Sequence, residues 1–291
     1  MTLTACSLVD KVGDVSSLPN IYLRLKEVVD DVRSSNRDIA ALISEDAGLA
    51  GRLLRIANSS FYGAPSGVDT ITRAVTVIGT RQISDIVIAT SVVNMFDGIA
   101  IDEFSMRSFW HKSISSGVAA RVLATYRREI NVERFFVAGL LHDIGQLIMC
   151  QGLGAAYSDV IRAARNKNVL MHVAEKEILG FDHADVGRVL LQKWALPQHM
   201  IDAVHYHNNP QKTENISIDT AVTHVAEVIS CAVYAALGND VLVPPINEEA
   251  WNVLALPVSI LQPLITQMEQ QYADAVALIF PAGEEPGYVS A

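Results

Sequence analysis

Apolar residues recur along most of this chain at intervals of three and four, the spacing of one face of an α-helix. Between Ile21 and Val32 they stand at positions 21, 25, 28, 29 and 32. Short connectors rich in Gly, Ser, Asn and Pro separate this pattern from similar ones. Further helices are predicted at 38–43, 49–57, 71–78, 82–96, 104–126, 133–151, 155–167, 171–179, 184–194, 198–207 and 220–237, with one or two more up to residue 280.

One segment is ambiguous by composition. Residues 86–93 (IVIATSVV) are rich in β-branched side chains, which also suit a strand. We predict a helix there because the neighbouring segments are helical and no partner for a hairpin is visible. The chain is therefore predicted to be all-α, a multi-helix protein without a sheet.

The predicted helices fall into two groups. A polar connector at residues 97–102, which begins with Asp97 and Gly98, is a candidate junction between them. This predicts an N-terminal helical subdomain at 15–100, packed against a second helical subdomain at 101–280. Residues 1–14 and 281–291 are predicted to be tails.

Composition narrows the classes of function. Half of the 291 residues are apolar and 19% are charged, so the chain can bury a large core. A net charge of −10 argues against broad nucleic-acid or anionic-membrane binding, which relies on clustered Lys and Arg. No nucleic-acid partner and no membrane association are expected.

The compartment is also predicted from residue usage. The three cysteines (Cys6, Cys150 and Cys231) lie far apart and form no CxxC pair, which favours a reducing compartment without disulfides. The N-terminus lacks the basic and apolar regions of a signal peptide. The stretch Asn252–Met268 is apolar but contains two prolines and is too short to span a bilayer. A cytoplasmic protein is expected.

The candidate chemistry centres on one stretch. Residues 135–149 (FFVAGLLHDIGQLIM) are almost continuously apolar, and His142 and Asp143 stand side by side in the middle. Burying an imidazole and a carboxylate costs free energy unless each finds a partner. The pair is therefore a metal site, part of a hydrogen-bond network, or the floor of a cleft, and the residues alone leave these alternatives open.

All eight histidines lie beyond residue 110. Helical bundles build metal sites from His and carboxylate ligands on several helices, and such sites activate water for phosphoester hydrolysis. An isolated His near a helix end more often caps the helix or faces solvent. We expect such ordinary roles for His172, His199, His205 and His224.

Several motifs together resemble a known family. The segments Leu140–Gly145 (LLHDIG), Phe181–Gly187 (FDHADVG) and His205–Pro210 (HYHNNP), preceded by His111, resemble the HD superfamily of metal-dependent phosphohydrolases. The first half adds motifs similar to those of the HDOD domain, the HD-related output domain of bacterial signalling proteins. These are Ser17–Pro19, Ile43–Asp46, Leu53–Ser60 (LLRIANSS) and Ile71–Gly79, with Trp194–Pro197 (WALP) later; the resemblance spans roughly residues 15–275.

The resemblance implies a ligand set for a divalent metal such as Fe, Mn, Ni, Zn or Mg. The positions that correspond to the family's ligands are His111, His142, Asp143, His183, His207 and Glu227. Asp143 is the best catalytic candidate if the protein is active. Two departures stand out: Glu227 replaces an Asp, and Asn208 follows His207 where a second His is common.

Two classes of function follow from the resemblance. The preferred hypothesis is a signalling output module that acts through contacts with a protein partner and has an HD-like pocket for a metal or a ligand. The alternative is a metal-dependent phosphohydrolase acting on a nucleotide or another phosphoester. A pocket that binds a nucleotide without turning it over is a third reading.

Overall fold

A computed structural model describes residues 3–13, 18–59, 62, 67–96, 99–234 and 242–280, without the side chains of residues 94 and 278. The described residues form sixteen α-helices and no strand, so the all-α prediction is confirmed. The predicted C-terminal tail, 281–291, lies outside the described residues, as do residues 97 and 98 of the predicted junction.

The helices are given by their bounds in chain order: Ala5–Lys11 (α1), Asn20–Asp30 (α2), Asn36–Ser44 (α3), Ala47–Ala57 (α4), Ile71–Ile78 (α5), Thr80–Met95 (α6), Met106–Tyr126 (α7), Glu133–Leu141 (α8), Ile144–Leu153 (α9), Ala155–Lys167 (α10), Met171–Leu179 (α11), His183–Lys193 (α12), Gln198–Tyr206 (α13), Ile218–Tyr234 (α14), Glu248–Leu254 (α15) and Leu261–Ile279 (α16). Short 3₁₀ helices occur at Pro210–Lys212 and Val258–Ile260. The ambiguous segment 86–93 is part of helix α6.

The chain divides into two compact units. The larger unit contains the described residues of Met1–Ser17 and Phe96–Met268, and the smaller unit contains those of Leu18–Met95 and Glu269–Glu285. The division differs from the predicted subdomains at both ends. Helix α1 belongs to the larger unit, and the end of α16 belongs to the smaller one.

The smaller unit packs α2 to α6 around one apolar core. Helix α3 contacts α2, α4 and α5, and α6 closes against α2 and α5. Leu25, Ile43 and Leu53 are fully buried there. Arg55 donates a hydrogen bond to the Ala277 carbonyl at 2.9 Å, which attaches the end of α16 to this unit.

The prediction of a tail at 1–14 is wrong for residues 5–11. The Thr4 and Ser7 side chains and backbones bond reciprocally and begin helix α1. Leu8 and Val9 are almost fully buried, and Lys11 donates to the Gly152 carbonyl at 2.6 Å. A buried apolar pair and a tertiary hydrogen bond hold this short helix in place.

Close contacts between backbones organise the larger unit. A β-carbon added at Gly139 of α8 would lie 2.7 Å from the Ser116 carbonyl oxygen and 2.8 Å from the Gly117 Cα of α7. One added at Gly145 of α9 would overlap the His183 carbonyl and lie 2.8 Å from the Gly187 backbone nitrogen on α12. Glycine lets these helices approach within backbone distance.

The stretch predicted as one helix at 133–151 is two helices. Helix α8 ends at Leu141, and α9 begins at Ile144. Asp143 leaves the helical region with φ −97° and ψ 7°, and its carbonyl accepts from Gln146 N–H at 2.8 Å. The break lets the neighbouring His142 and Asp143 side chains reach one site, which a continuous helix would separate by about 100°.

The stretch Glu133–Leu153, taken as a whole, is long and apolar enough to cross a membrane by length and composition. Within the larger unit, however, 89% of its most apolar 18-residue segment is buried. Leu140 and Leu147 are completely covered by neighbouring helices. Its apolar character is accounted for by its place in the core.

The contact between α9 and α12 can be tested by overpacking. We expect Gly145→Ala to lower the free energy of unfolding by about 1–3 kcal/mol, because the methyl group would meet backbone that cannot rotate away. Gly51→Ala is the control, since nothing lies within 4 Å of its added β-carbon in helix α4. The control should be neutral or stabilising by up to about 1 kcal/mol. Equal denaturation midpoints for the two variants would contradict the close contact.

Candidate functional site

Four buried side chains converge in the larger unit. The ligand atoms of His142, Asp143, His207 and Glu227 all lie within 4.8 Å of one another. The break between α8 and α9 supplies His142 and Asp143, the end of α13 supplies His207, and α14 supplies Glu227. The structure thus brings together four of the six residues expected as ligands.

The two imidazoles are held in defined orientations. His142 Nδ1 lies 2.7 Å from the Gly139 carbonyl, and His207 Nδ1 lies 2.7 Å from the Val204 carbonyl. A carbonyl accepts only, so each Nδ1 carries the proton in the neutral ring. In the neutral form the Nε2 atoms present lone pairs to the cluster, the arrangement usual for metal-binding histidines. Burial would lower the pKa of His142, but the neighbouring Asp143 raises it and so favours a proton on its Nε2.

His183 joins the cluster from its edge. Its Nε2 lies 3.1 Å from Asp143 Oδ1, and its Nδ1 lies 2.6 Å from Glu175 Oε2. Glu175 is fully buried, and its second oxygen accepts a 2.6 Å hydrogen bond from the Tyr157 hydroxyl. Tyr157 and Glu175 therefore fix the ring of His183.

Glu175 and Tyr157 are not among the site residues predicted from the sequence. Glu175 stands in the run Glu175-Lys176-Glu177, which looks like the solvated face of a helix. One sequence feature does hint that Glu175 is buried: it lies one helical turn after Met171, so the two residues share a helix face. That signal does not identify a partner for His183.

His111 is not one of the four clustered residues, and its place in the expected ligand set stays a prediction. Its Nε2 accepts a long hydrogen bond from Arg107 Nε at 3.4 Å, one turn earlier on α7. The next residue, Lys112, reaches the cluster instead. Its Nζ lies 2.8 Å from Asp143 Oδ2 and 3.2 Å from Glu227 Oε1.

Electrostatics in the cluster favour ionised carboxylates. Burial alone would raise the pKa of Asp143, but the charges of His142 and Lys112 hold it well below its usual range. Burial likewise opposes ionisation of Glu227, yet Lys112 and His207 lower its pKa to about 2. The carboxylates in turn act on His183: burial would lower its pKa, and Glu175 with Asp143 raises it well above its ordinary value.

Three buried atoms of the cluster, His142 Nε2, Asp143 Oδ1 and Glu227 Oε2, make no well-aligned hydrogen bond among the described residues. The nearest contacts are those of His142 Nε2 with Asp143 Oδ2 at 3.2 Å and of His183 Nε2 with Asp143 Oδ1 at 3.1 Å. Imidazole nitrogens and carboxylate oxygens are ligands of divalent transition metals. The donor chemistry therefore suits a metal, and the cluster could bind one. The ammonium of Lys112 contacts the other oxygen of each carboxylate, Asp143 Oδ2 and Glu227 Oε1.

The remaining histidines make ordinary contacts. His205 Nε2 lies 3.1 Å from Asp185 Oδ1. His224 Nδ1 lies 2.7 Å from the His207 carbonyl, and its Nε2 accepts from the Asn247 backbone N–H at 2.9 Å. His224 thereby supports the backbone that carries His207. His199 is exposed on α13.

His172 provides a test of the electrostatics at the edge of the cluster. Burial, with the nearby charge of His183, lowers its pKa from 6.5 to about 4. Its contribution to stability is therefore complete above pH 6.5 and is lost as the pH falls towards 4, where the unfolded state binds the proton first. We expect an NMR titration midpoint near pH 4 for His172, with the signal assigned by its absence in His172→Asn. A midpoint near 6.5 would contradict this environment.

The HDOD domain family model matches residues 15–210 of this chain. Among solved structures, an HDOD domain protein of unknown function from Geobacter sulfurreducens aligns with a TM-score of 0.74 at 20% identity, covering 95% of this chain and 98% of that one. A protein from Shewanella amazonensis SB2B titled "putative phosphohydrolase" aligns with a TM-score of 0.71 at 26% identity, covering 94% and 98%. A "putative signal transduction protein" from Marinobacter aquaeolei VT8 aligns with a TM-score of 0.68 at 19% identity, covering 90% and 58%.

A curated relative, an uncharacterized protein of Treponema pallidum, is 24% identical over 209 residues. These residues are 72% of this chain and 40% of the relative, so the match spans less than half of that protein's length. The family model covers well over half of this chain, including the first half and the His142–Asp143 pair. This chain belongs to the HDOD domain family.

Proposed function

We propose that this protein is a regulatory output module of a bacterial signalling pathway, which acts in the cytoplasm through contacts with a protein partner. Membership of the HDOD family supports this proposal, as does the fold shared with the Marinobacter protein named for signal transduction. The two buried cysteines, Cys150 and Cys231, form no disulfide among the described residues, which agrees with a reducing compartment. Nucleic acid is not the proposed partner because the chain carries a net charge of −10.

The observation that carries the proposal is the burial of the polar cluster. His142 and His207 are 0% exposed, Asp143 is 1% exposed and Glu227 is 3% exposed. A metal hydrolase needs an open coordination position where water and substrate meet the ion. Here the three atoms without a well-aligned hydrogen bond among the described residues face the interior and are closed to solvent. The cluster is therefore suited to joining α8, α9, α13 and α14 internally.

A second candidate function is a metal-dependent phosphohydrolase. It is favoured by these three buried atoms and by the name of the Shewanella protein. His142, Asp143, His207 and Glu227 would hold the ion, one of Fe, Mn, Ni, Zn or Mg. A bound ion would supply Lewis acidity and an activated water for attack on a nucleotide or another phosphoester. The chain's own contribution would be to orient both imidazoles through the Gly139 and Val204 carbonyls.

Turnover separates the two candidates. We expect purified protein supplied with Mn²⁺, Ni²⁺, Fe²⁺, Zn²⁺ or Mg²⁺ in turn to hydrolyse bis-p-nitrophenyl phosphate and a set of nucleotides no faster than the metal alone. His142→Ala, which removes a donor, should give the same rates as the wild type. Metal-dependent turnover that His142→Ala abolishes would establish the hydrolase and refute the proposal.

Direct association tests the positive half of the proposal. We expect a photo-crosslinking residue at exposed Leu23 or Ile178, which are 46% and 48% exposed, to capture a defined protein in the host. The captured protein, purified, should bind the wild-type chain in calorimetry with or without a chelator, because the contact does not pass through a metal. A probe at buried Leu53 is the matched control, since its side chain is 0% exposed. Failure of every captured protein to bind directly would contradict the proposed mode of action.

A further inference from the structure

We infer that Lys112 is a built-in counter-cation that supplies the positive charge a metal ion would bring, so that the pocket is complete as a metal-free structural element. This inference rests on the proposed non-hydrolytic function and concerns the same cluster. It goes further by naming the residue that replaces the ion. Four of the six residues expected as ligands thus lie together, and Lys112 adds a group of different chemistry to them.

The position of Lys112 carries the inference. Lys112 is on helix α7, which packs along α8 and α14. Asp143 lies between the end of α8 and the start of α9, and Glu227 lies on α14. The Lys112 side chain is only 9% exposed, so its ammonium is directed inward. Its Nζ contacts one oxygen of each carboxylate, at 2.8 Å on Asp143 and 3.2 Å on Glu227. The two carboxylates are thereby bridged by a single cation.

A charged ammonium cannot act as a ligand because it has no lone pair. It also repels a divalent ion placed between the same oxygens, and this repulsion is strong where water is excluded. A metal bound through Asp143 Oδ2 or Glu227 Oε1 would have to displace Lys112, and a metal bound through the other two oxygens would lie beside its charge. The displaced ammonium, in a side chain that is 9% exposed, would lose its ion pairs in a buried place.

Asn208 also makes a ligand atom less available to a metal, in this case a nitrogen of an imidazole. Its amide nitrogen lies 2.8 Å from His207 Nε2, the atom whose lone pair faces the cluster. Because His207 Nδ1 is committed to the Val204 carbonyl, Nε2 accepts the N–H of the amide. The same amide nitrogen is 3.0 Å from His183 Nε2. One of the lone pairs that a metal would need is thus satisfied within the chain.

Substituting Lys112 tests the inference through stability and metal uptake. We expect Lys112→Met to lower the Tm by roughly 5–10 °C in chelator, because two buried carboxylates lose their counter-ion. Added Mn²⁺ or Zn²⁺ should restore the Tm of this variant and bind near one equivalent by mass spectrometry of metals. The wild type should show the same Tm in chelator and in metal. Lys167→Met, which removes the exposed pair with Glu177, is the control and should behave as the wild type.

A second pair of variants keeps the inference testable if Lys112→Met alone does not fold. Glu227→Gln removes one of the two charges, and adding Lys112→Met to it should still lower the Tm measurably, but by less than half of the drop seen in the wild-type background. The double variant should also gain less from Mn²⁺, since one carboxylate ligand is gone. If Lys112→Met cannot be purified, the comparison between Glu227→Gln and the double variant in chelator decides. An equal Tm for these two proteins would overturn the inference.

Other outcomes distinguish this inference from the proposed function. Stoichiometric metal in the wild type, with a Tm rise equal to that of Lys112→Met, would overturn the role of Lys112. The absence of turnover would then still support the regulatory module. Conversely, metal-dependent hydrolysis by the wild type would refute the regulatory module itself, whatever the Tm of the Lys112 variant.

Discussion

Two carboxylates buried side by side are the constraint on which this site depends. The side chains of Asp143 and Glu227 are 1% and 4% exposed, and an unpaired carboxylate in such a place is very costly. The negative charge must be neutralised either by an ion from solution or by the chain itself. Lys112 of α7 neutralises it with one ammonium group that contacts both carboxylates. The pairing leaves each carboxylate one further oxygen, and these face the imidazoles.

The surrounding structure serves to hold this arrangement. The Tyr157 hydroxyl bonds to Glu175, Glu175 bonds to the ring of His183, and the other ring nitrogen of His183 lies 3.1 Å from Asp143 Oδ1. Gly145 lets α12, which carries His183, approach the start of α9 at backbone distance. A larger residue at this position would separate two of the groups that bear charge. The glycine at this contact and the polar network are thus both needed to keep His183 close to Asp143.

Much of the fold could be predicted from hydrophobic spacing alone. Helices at 155–167 and 171–179 have the predicted bounds because glycine or asparagine ends them: Gly180 and Asn168 adopt the left-handed conformation after the last turn. The break at His142–Asp143 could not be predicted in this way. Residues 135–149 are almost continuously apolar, so the spacing of apolar residues does not show where one helix ends and the next begins. In the structure α9 begins after Asp143 and lies at backbone distance from α12, a contact that the sequence pattern does not reveal.

The site was predicted by residue type, and Lys112 shows the limit of that method. His111 has the chemistry of a ligand, and the next residue looks like an ordinary surface lysine. On a helix, neighbours point about 100° apart, so a shift of one position replaces one chemistry with another at the pocket. A histidine facing the carboxylates would add a ligand, whereas a lysine adds a charge. A buried carboxylate needs a neighbouring positive charge, but that charge can come from a metal ion or from a lysine. The same arrangement of helices can therefore accommodate either a metal site or an ion pair.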